Sequence, residues 1–189
     1  AAYSDQQFGH DVSGTSPADY SFLNGTSMSA PHVAGAAAVL KSAHPTWTPD
    51  NIRSALMLTS STDVRKEDRT TAADAFDMGS GSIRVNLATN SGLIMEETYG
   101  NYLKADPSMA GVPSSLNLPS MTNTKCIDIC SWTRTFIATK DASWTVTPKT
   151  ADVVTNKMTL TVIPTSFDIK AGEKQTITVS ADVSQADVD

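Results

Sequence analysis

The segment 27–43 limits what this chain can fold into more than any other part of it. It has helical spacing, is rich in alanine, and carries Val33, Val39 and Leu40 among small residues, so that nearly every side of the helix is apolar or small. A helix without a polar face is a buried helix, and small side chains such as Gly35 let other backbone approach closely. We therefore expect one long helix here that other elements cover on all sides.

A second helix is predicted immediately after it. Thr48 is a suitable N-cap, Pro49 suits the first helical position, and Asp50 places an acid in the first turn, where the helix dipole favours it. We expect this helix to run to about Thr59. Its inward positions are Ile52, Ala55 and Leu56.

The last third of the chain changes to a Thr- and Val-rich sequence with alternating apolar residues. This alternation predicts strands at 131–139, 143–147, 158–163 and 176–183, with a turn around Gly172. The predicted inward side chains are Trp144, Val146, Met158, Leu160, Val162, Ile177 and Val179, and Trp132 is also expected in the core. The pattern is typical of a sandwich of short antiparallel strands. The segment 105–124, which contains three prolines, is expected to be an irregular connection.

Charge and composition exclude two classes of partner. The 189 residues include 20 acidic and 14 basic side chains, a net charge of -6, which opposes binding to nucleic acid. The longest apolar run, 33–40, is much shorter than the roughly 20 residues that a membrane-spanning helix needs. We therefore expect neither nucleic-acid binding nor membrane insertion.

The two cysteines, Cys126 and Cys130, have no second cysteine pair with which to complete a zinc site. Two interpretations of the pair stay open. The cysteines form a local disulfide if the protein is exported, or they are two buried free thiols, because loop geometry decides between them.

The segment 24–35 reads Asn-Gly-Thr-Ser-Met-Ser-Ala-Pro-His-Val-Ala-Gly. A glycine turn here delivers the hydroxyl of Ser27 to the first turn of the buried helix, where unpaired backbone N–H groups and the positive end of the dipole coincide. This arrangement suits a nucleophile whose attack on a carbonyl generates an oxyanion.

The same segment closely resembles the serine signature of the subtilisin-like serine proteases, or subtilases. The resemblance continues through 44–48 and through 76–81 with its glycine turn, so that residues 10–94 are similar to the C-terminal third of a subtilase catalytic domain. It implies an α/β fold in which Ser27 is the nucleophile and its backbone N–H is one oxyanion donor.

A second resemblance concerns 116–121, Leu-Asn-Leu-Pro-Ser-Met, followed by Thr-Arg-Thr at 133–135. These residues are similar to the fibronectin-III-like domain of plant-type, cucumisin-like subtilases and their bacterial relatives. The predicted fold class is thus α/β, the C-terminal portion of a subtilisin-like catalytic domain, followed by an all-β fibronectin-III-like sandwich. The predicted boundaries are 1–95 for the catalytic portion, 96–130 for the connection and 131–189 for the sandwich.

In subtilases the triad runs Asp, His, Ser along the chain, so both partners of Ser27 should precede it. The residues before it include Asp5, His10, Asp11 and Asp19, but none stands in the family's sequence setting. We therefore expect the triad Asp and His to come from the upstream half of the same catalytic domain.

The other two histidines are not expected to replace the missing base. His32 lies on another side of the helix from Ser27 and is expected to be a packed helix residue. His44 is expected to cap the end of that helix.

The parent protein is thus expected to be a secreted serine endopeptidase that cleaves protein or peptide substrates through an acyl-enzyme on Ser27, with its signal and pro-region upstream. It is expected to need no cofactor, and no metal ligand is assigned in this chain. The resemblance implies structural calcium elsewhere in the full-length protein. The isolated chain should be inactive and expose apolar surface. The alternatives are a non-catalytic β-sandwich module for binding or stabilisation and a pseudo-protease.

Overall fold

A computed structural model describes residues 25–123, 125–149 and 157–185, together with the backbone of two short strands near the start of the chain. The chain divides into two compact units, Ala1–Val39 and Leu40–Asp189. In the first unit, strand β1 (Ala2–Tyr3) pairs antiparallel with β2 (Tyr20–Ser21).

Helix α1 spans Thr26–Ala43 and confirms the predicted helix. Pro31 lies just after the first turn, where its missing N–H removes one intrahelical bond. The side chains of Val33 and Val39 are 44% and 53% exposed. The cover expected on all sides of this helix is therefore not provided by the described residues, and the expected exposed apolar surface is present.

Helix α2 (Pro49–Leu58) begins with the predicted cap. The Asn51 N–H donates to Thr48 Oγ1 over 3.2 Å, and the Thr48 N–H donates to Asn51 Oδ1 over 3.0 Å. This reciprocal pair satisfies backbone donors that the helix itself leaves unpaired. The predicted inward residues Ile52, Ala55 and Leu56 are all buried.

Shorter helical elements follow in the second unit. They are α3 (Ala75–Met78), α4 (Val85–Thr89) and α5 (Tyr99–Lys104), and two single 3₁₀ turns at Pro107–Met109 and Pro113–Ser115. The two 3₁₀ turns both start at proline, whose fixed φ suits the beginning of a helical turn. They lie in the predicted irregular connection, which contains no longer element. None of the described helices is long and apolar enough to cross a membrane.

The strands of the second unit form two antiparallel sheets. They are β3 (Leu93–Ile94), β4 (Ile129–Ala138), β5 (Ala142–Thr145), β6 (Thr159–Ile163), β7 (Ser166–Ile169) and β8 (Lys174–Asp182). One sheet has the order β3-β4-β8-β6, and the other pairs β5 with β7. Four of these strands match the predicted ones, whereas β3 and β7 were not predicted, because two or four residues carry too little alternation to be distinguished from a loop.

Both sheets contribute side chains to one core. Val162, Ile177 and Val179 from the larger sheet are buried, as predicted, and the partly buried Phe136, Val146 and Phe167 pack against them. Trp132 and Trp144 are only half-buried and lie outside this cluster. The two tryptophans predicted for the core are therefore partly buried at its margin, and the indole nitrogen of Trp144 is itself buried.

Strand β3 connects the larger sheet to the helical part of the same unit. Leu93 and Ile94 pair with Ala138 and Ile137 of β4. Directly after β3, the Met95 N–H donates to Ser54 Oγ of α2 over 2.8 Å. The edge of the sheet is thus hydrogen-bonded to α2 through Met95.

Candidate nucleophile site

Ser27 lies in the first turn of α1, directly after a glycine turn. The φ angle of Gly25 is 138°, which disfavours residues with a side chain. The Gly25 carbonyl then accepts the N–H groups of Met28 and Ser29 over 3.1 and 3.2 Å. These bonds close the first helical turn around Ser27.

The environment of Ser27 favours negative charge. Ser27 is exposed, and its backbone N–H belongs to the first-turn amides that have no acceptor within a helix. The first turn contains no acidic side chain that would compete for the positive end of the helix dipole. A serine hydroxyl beside first-turn amides suits a nucleophile, because those N–H groups point to where the oxyanion would form.

His32 does not contact Ser27. Its Nδ1–H donates to the Met28 carbonyl over 2.6 Å, one turn back on the same helix. His32 is expected from the sequence to be packed, but it is exposed, because no described element covers this face of α1. Its ring is therefore bonded to its own helix and not to the Ser27 hydroxyl.

His44 follows the last residue of α1, but its side chain does not cap that helix. Its Nε2–H donates to the Thr89 carbonyl at the end of α4 over 2.7 Å, and its ring stacks on Trp47 with centroids 3.8 Å apart. The cap prediction is thus wrong, because the imidazole bridges two helix ends through a tertiary contact.

The remaining candidates for the triad, Asp5, His10, Asp11 and Asp19, lie outside the described residues. Within the described ranges, no group of three His, Cys, Asp or Glu side chains could hold a metal ion.

The two cysteines form a disulfide. The Cα atoms of Cys126 and Cys130 are 5.8 Å apart, and the bond decides between the two interpretations that the sequence left open.

Four buried polar residues in the described part of the chain are not predicted from the sequence: Asn51, Ser54, Ser91 and Arg134. The charged one is Arg134 of β4, which is only 3% exposed. Its guanidinium donates to the carbonyls of Thr133 and Ser120 over 2.7 and 2.9 Å, and so fastens the connecting segment to the sheet. Burial lowers the pKa of Arg134, while the charge of Glu97 raises it. An arginine at an inward position of an alternating strand was the available signal.

Comparison with known proteins identifies the family. The family model of the subtilases, Peptidase S8, matches residues 2–101. The Arabidopsis thaliana subtilisin-like protease SBT1.6 is 38% identical over 114 residues, which are 57% of this chain and 15% of that protein. SBT1.7 of the same plant is 32% identical over 197 residues, 89% of this chain and 26% of that protein. Subtilisin-like protease SBT3 of Solanum lycopersicum is 43% identical over 91 residues, 45% of this chain and 12% of that protein.

The chain thus spans about a quarter or less of the length of these relatives. Its family match includes the glycine turn, Ser27 and all of α1. The chain belongs to the subtilase family.

Proposed function

We propose that this chain is part of a plant-type subtilisin-like serine endopeptidase that cleaves protein or peptide substrates. The observation that carries the proposal is the exposed Ser27 in the first turn of α1, closed by the Gly25 carbonyl. The names of the relatives, all subtilisin-like proteases, agree with this chemistry.

In the proposed reaction, Ser27 Oγ attacks the carbonyl carbon of the scissile peptide bond. Its proton passes to the triad histidine, and the Ser27 backbone N–H stabilises the developing oxyanion. The histidine then gives the proton to the leaving amine, which leaves an acyl-enzyme ester on Ser27. A water molecule, deprotonated by the same histidine, attacks this ester. The histidine then returns the proton to Ser27 Oγ, and the acid product leaves.

The triad Asp and His are proposed to come from the upstream half of the same catalytic domain. The support is the exposure of Val33 and Val39, which are 44% and 53% exposed on a helix built mainly of apolar and small side chains. Apolar surface of this kind indicates a missing partner. The isolated chain is therefore proposed to be inactive.

The two-sheet part of the chain is proposed to be a fibronectin-III-like domain of a secreted protein. The shared core of both sheets supports the sandwich, and the Cys126–Cys130 disulfide supports an oxidising compartment outside the cytosol. The reaction needs no cofactor, and structural calcium is proposed only for the rest of the full-length protein.

The test is covalent labelling with a fluorophosphonate probe, which reacts with activated serines. We compare the full-length product of the gene that encodes this sequence, its Ser27→Ala variant and the isolated 189-residue chain. The matched control is Ser42→Ala, which removes an exposed serine from the last turn of the same helix. We expect labelling of the full-length protein and of Ser42→Ala, and none of Ser27→Ala or the isolated chain.

Two other results would contradict parts of the proposal. Labelling that persists in Ser27→Ala would assign the nucleophile to another residue. A full-length protein that stays unlabelled would favour the pseudo-protease or the non-catalytic sandwich module. In a further arm, adding the separately produced upstream half to the isolated chain should restore labelling if that half is the partner.

A further inference from the structure

A cavity of about 380 Å³ lies in the second unit, where the chain after α1 meets α4 and the paired strands β3 and β4. Ligand pockets typically measure about 300 to 1,000 Å³, so that this cavity is large enough for a single amino-acid residue and its substituents. It belongs to Leu40–Asp189 and does not include Ser27. The lining residues that matter are His44, Trp47, Asn90, Ile94, Ala138 and Lys140.

Part of the lining is apolar. Ile94 and Ala138 are buried residues on the paired strands β3 and β4, and Trp47 is buried beside the stacked ring of His44. This part of the cavity suits an aliphatic side chain, because a ligand placed here removes its own apolar surface from water.

Lys140 supplies a positive charge. Its ammonium makes no ion pair or hydrogen bond with any described residue. The aliphatic stem of this lysine packs against Gly92. A Cβ added to that glycine would lie 3.1 Å from Lys140 Cε and 2.6 Å from the Trp144 ring.

His44 and Asn90 line the same cavity, and each has one further polar atom without a described partner. The imidazole of His44 donates from Nε2 to the Thr89 carbonyl, which leaves Nδ1 as an acceptor in the neutral ring. Asn90 donates from Nδ2 to the Asn86 carbonyl, which leaves its Oδ1. Either atom can accept an N–H from a ligand.

We propose that this cavity binds the free carboxyl end of an N-acylated amino acid or peptide whose last residue is aliphatic. Lys140 pairs with the carboxylate, the aliphatic side chain lies against Ile94 and Ala138, and the amide N–H is accepted by His44 Nδ1 or Asn90 Oδ1. The pairing of an ammonium with a carboxylate is a charge-assisted contact, stronger than a neutral hydrogen bond. The inference is independent of whether Ser27 is active.

The experiment is a titration of the ¹⁵N-labelled full chain, followed by the amide signals of Gly92 and Thr139. The probes are N-acetyl-leucine and its uncharged amide, N-acetyl-leucinamide. We expect saturable shifts with the acid and binding of the amide that is about threefold weaker, since water screens an ion pair at an exposed lysine. Added salt should weaken binding of the acid only.

The matched variants are Lys140→Gln and Lys149→Gln, which remove the same charge from exposed positions. The first should weaken binding of the acid about threefold, and the second should leave it unchanged. Because both lysines are exposed, unchanged amide signals along β8 will show that the variants are folded.

The source of the carboxylate is decided by a third probe, the tripeptide acid acetyl-Ala-Ala-Leu. Tighter binding than N-acetyl-leucine supports the site and identifies a peptide end as its ligand, whereas equal binding supports the site for a single acylated residue. The proposal is overturned if no probe saturates, if acid and amide bind equally, or if Lys140→Gln binds like the unmodified chain.

Discussion

The side-chain amide of Asn117 is hydrogen-bonded to both backbone groups of Thr135 on strand β4. Thr135 N–H donates to Asn117 Oδ1, and Asn117 Nδ2 donates to the Thr135 carbonyl, each over 2.8 Å. Strand β3 pairs only with Ile137 and Ala138 on this edge of β4. The asparagine side chain therefore continues the pairing where β3 is absent, in the manner of a neighbouring strand.

Asn117→Ala should destabilise the second unit by about 2 kcal/mol, because it leaves backbone groups of Thr135 without their partner. Urea unfolding followed by tryptophan fluorescence will measure the change. The control is Asn86→Ala, at an exposed position of α4, which should change the free energy of unfolding by less than about 0.5 kcal/mol. Equal effects of both substitutions would show that the bonds to Thr135 contribute little.

The free energy of unfolding should fall in acid, partly because the Glu97 carboxylate takes up a proton. Burial of this carboxyl raises its pKa, but N–H groups from Asn117, Thr98 and Asn101, with the charge of Arg134, outweigh burial and hold the pKa below its ordinary value of 4.5. A lowered folded-state pKa contributes stability that is present above the unfolded value and is lost as the pH falls through the folded one.

The measurement is the urea midpoint from neutral pH to about pH 3, in the window where carboxylates of this kind take up protons. Glu97→Gln should show a smaller fall than the unmodified chain. The control Glu67→Gln, an exposed glutamate, should keep the full dependence. Some slope will stay in every variant, because hydrogen bonds from Thr71 and Thr70 lower the pKa of Asp68 to about 2. An identical slope in Glu97→Gln and the unmodified chain would disprove the role of Glu97.

Gly92→Ala should destabilise the chain by about 1 to 3 kcal/mol, because its Cβ would lie 2.6 Å from the ring of Trp144. A shift in tryptophan emission should accompany the lower unfolding midpoint. Gly100→Ala is the matched control, since a Cβ at that position of α5 meets nothing within 4 Å. It should be neutral or slightly stabilising, because alanine favours helix over glycine. A fully stable Gly92→Ala chain would mean that the Trp144 ring moves without cost.

Removing the disulfide with Cys126→Ser and Cys130→Ser together should lower the free energy of unfolding by about 2 kcal/mol. The estimate follows from the short loop that the bond closes, with a sequence separation of 4. Chemical denaturation of the oxidised chain and the double variant will test it. A thiol assay should detect no free thiol in the folded, unreduced chain. Free thiols there would contradict the bond itself.

Local sequence determined much of this protein. The small residues of α1, the Thr48 cap with Pro49 and the alternation of β4, β6 and β8 each act over a few neighbouring residues, and the structure has these elements where the sequence predicts them. The candidate nucleophile was also identified from sequence, because a glycine turn and a helix start lie next to it and residues 24–35 resemble the subtilase serine signature. Its catalytic role stays a prediction.

Tertiary structure alone decided the contacts between distant residues. His44 reaches Thr89, Asn117 reaches Thr135, and Arg134 is buried against the Ser120 carbonyl, although nothing in the local pattern selects these partners. The physical reason is that a buried polar group needs a hydrogen-bond partner, but the sequence nearby does not say which one. Only the packed chain brings distant donors and acceptors within hydrogen-bond distance.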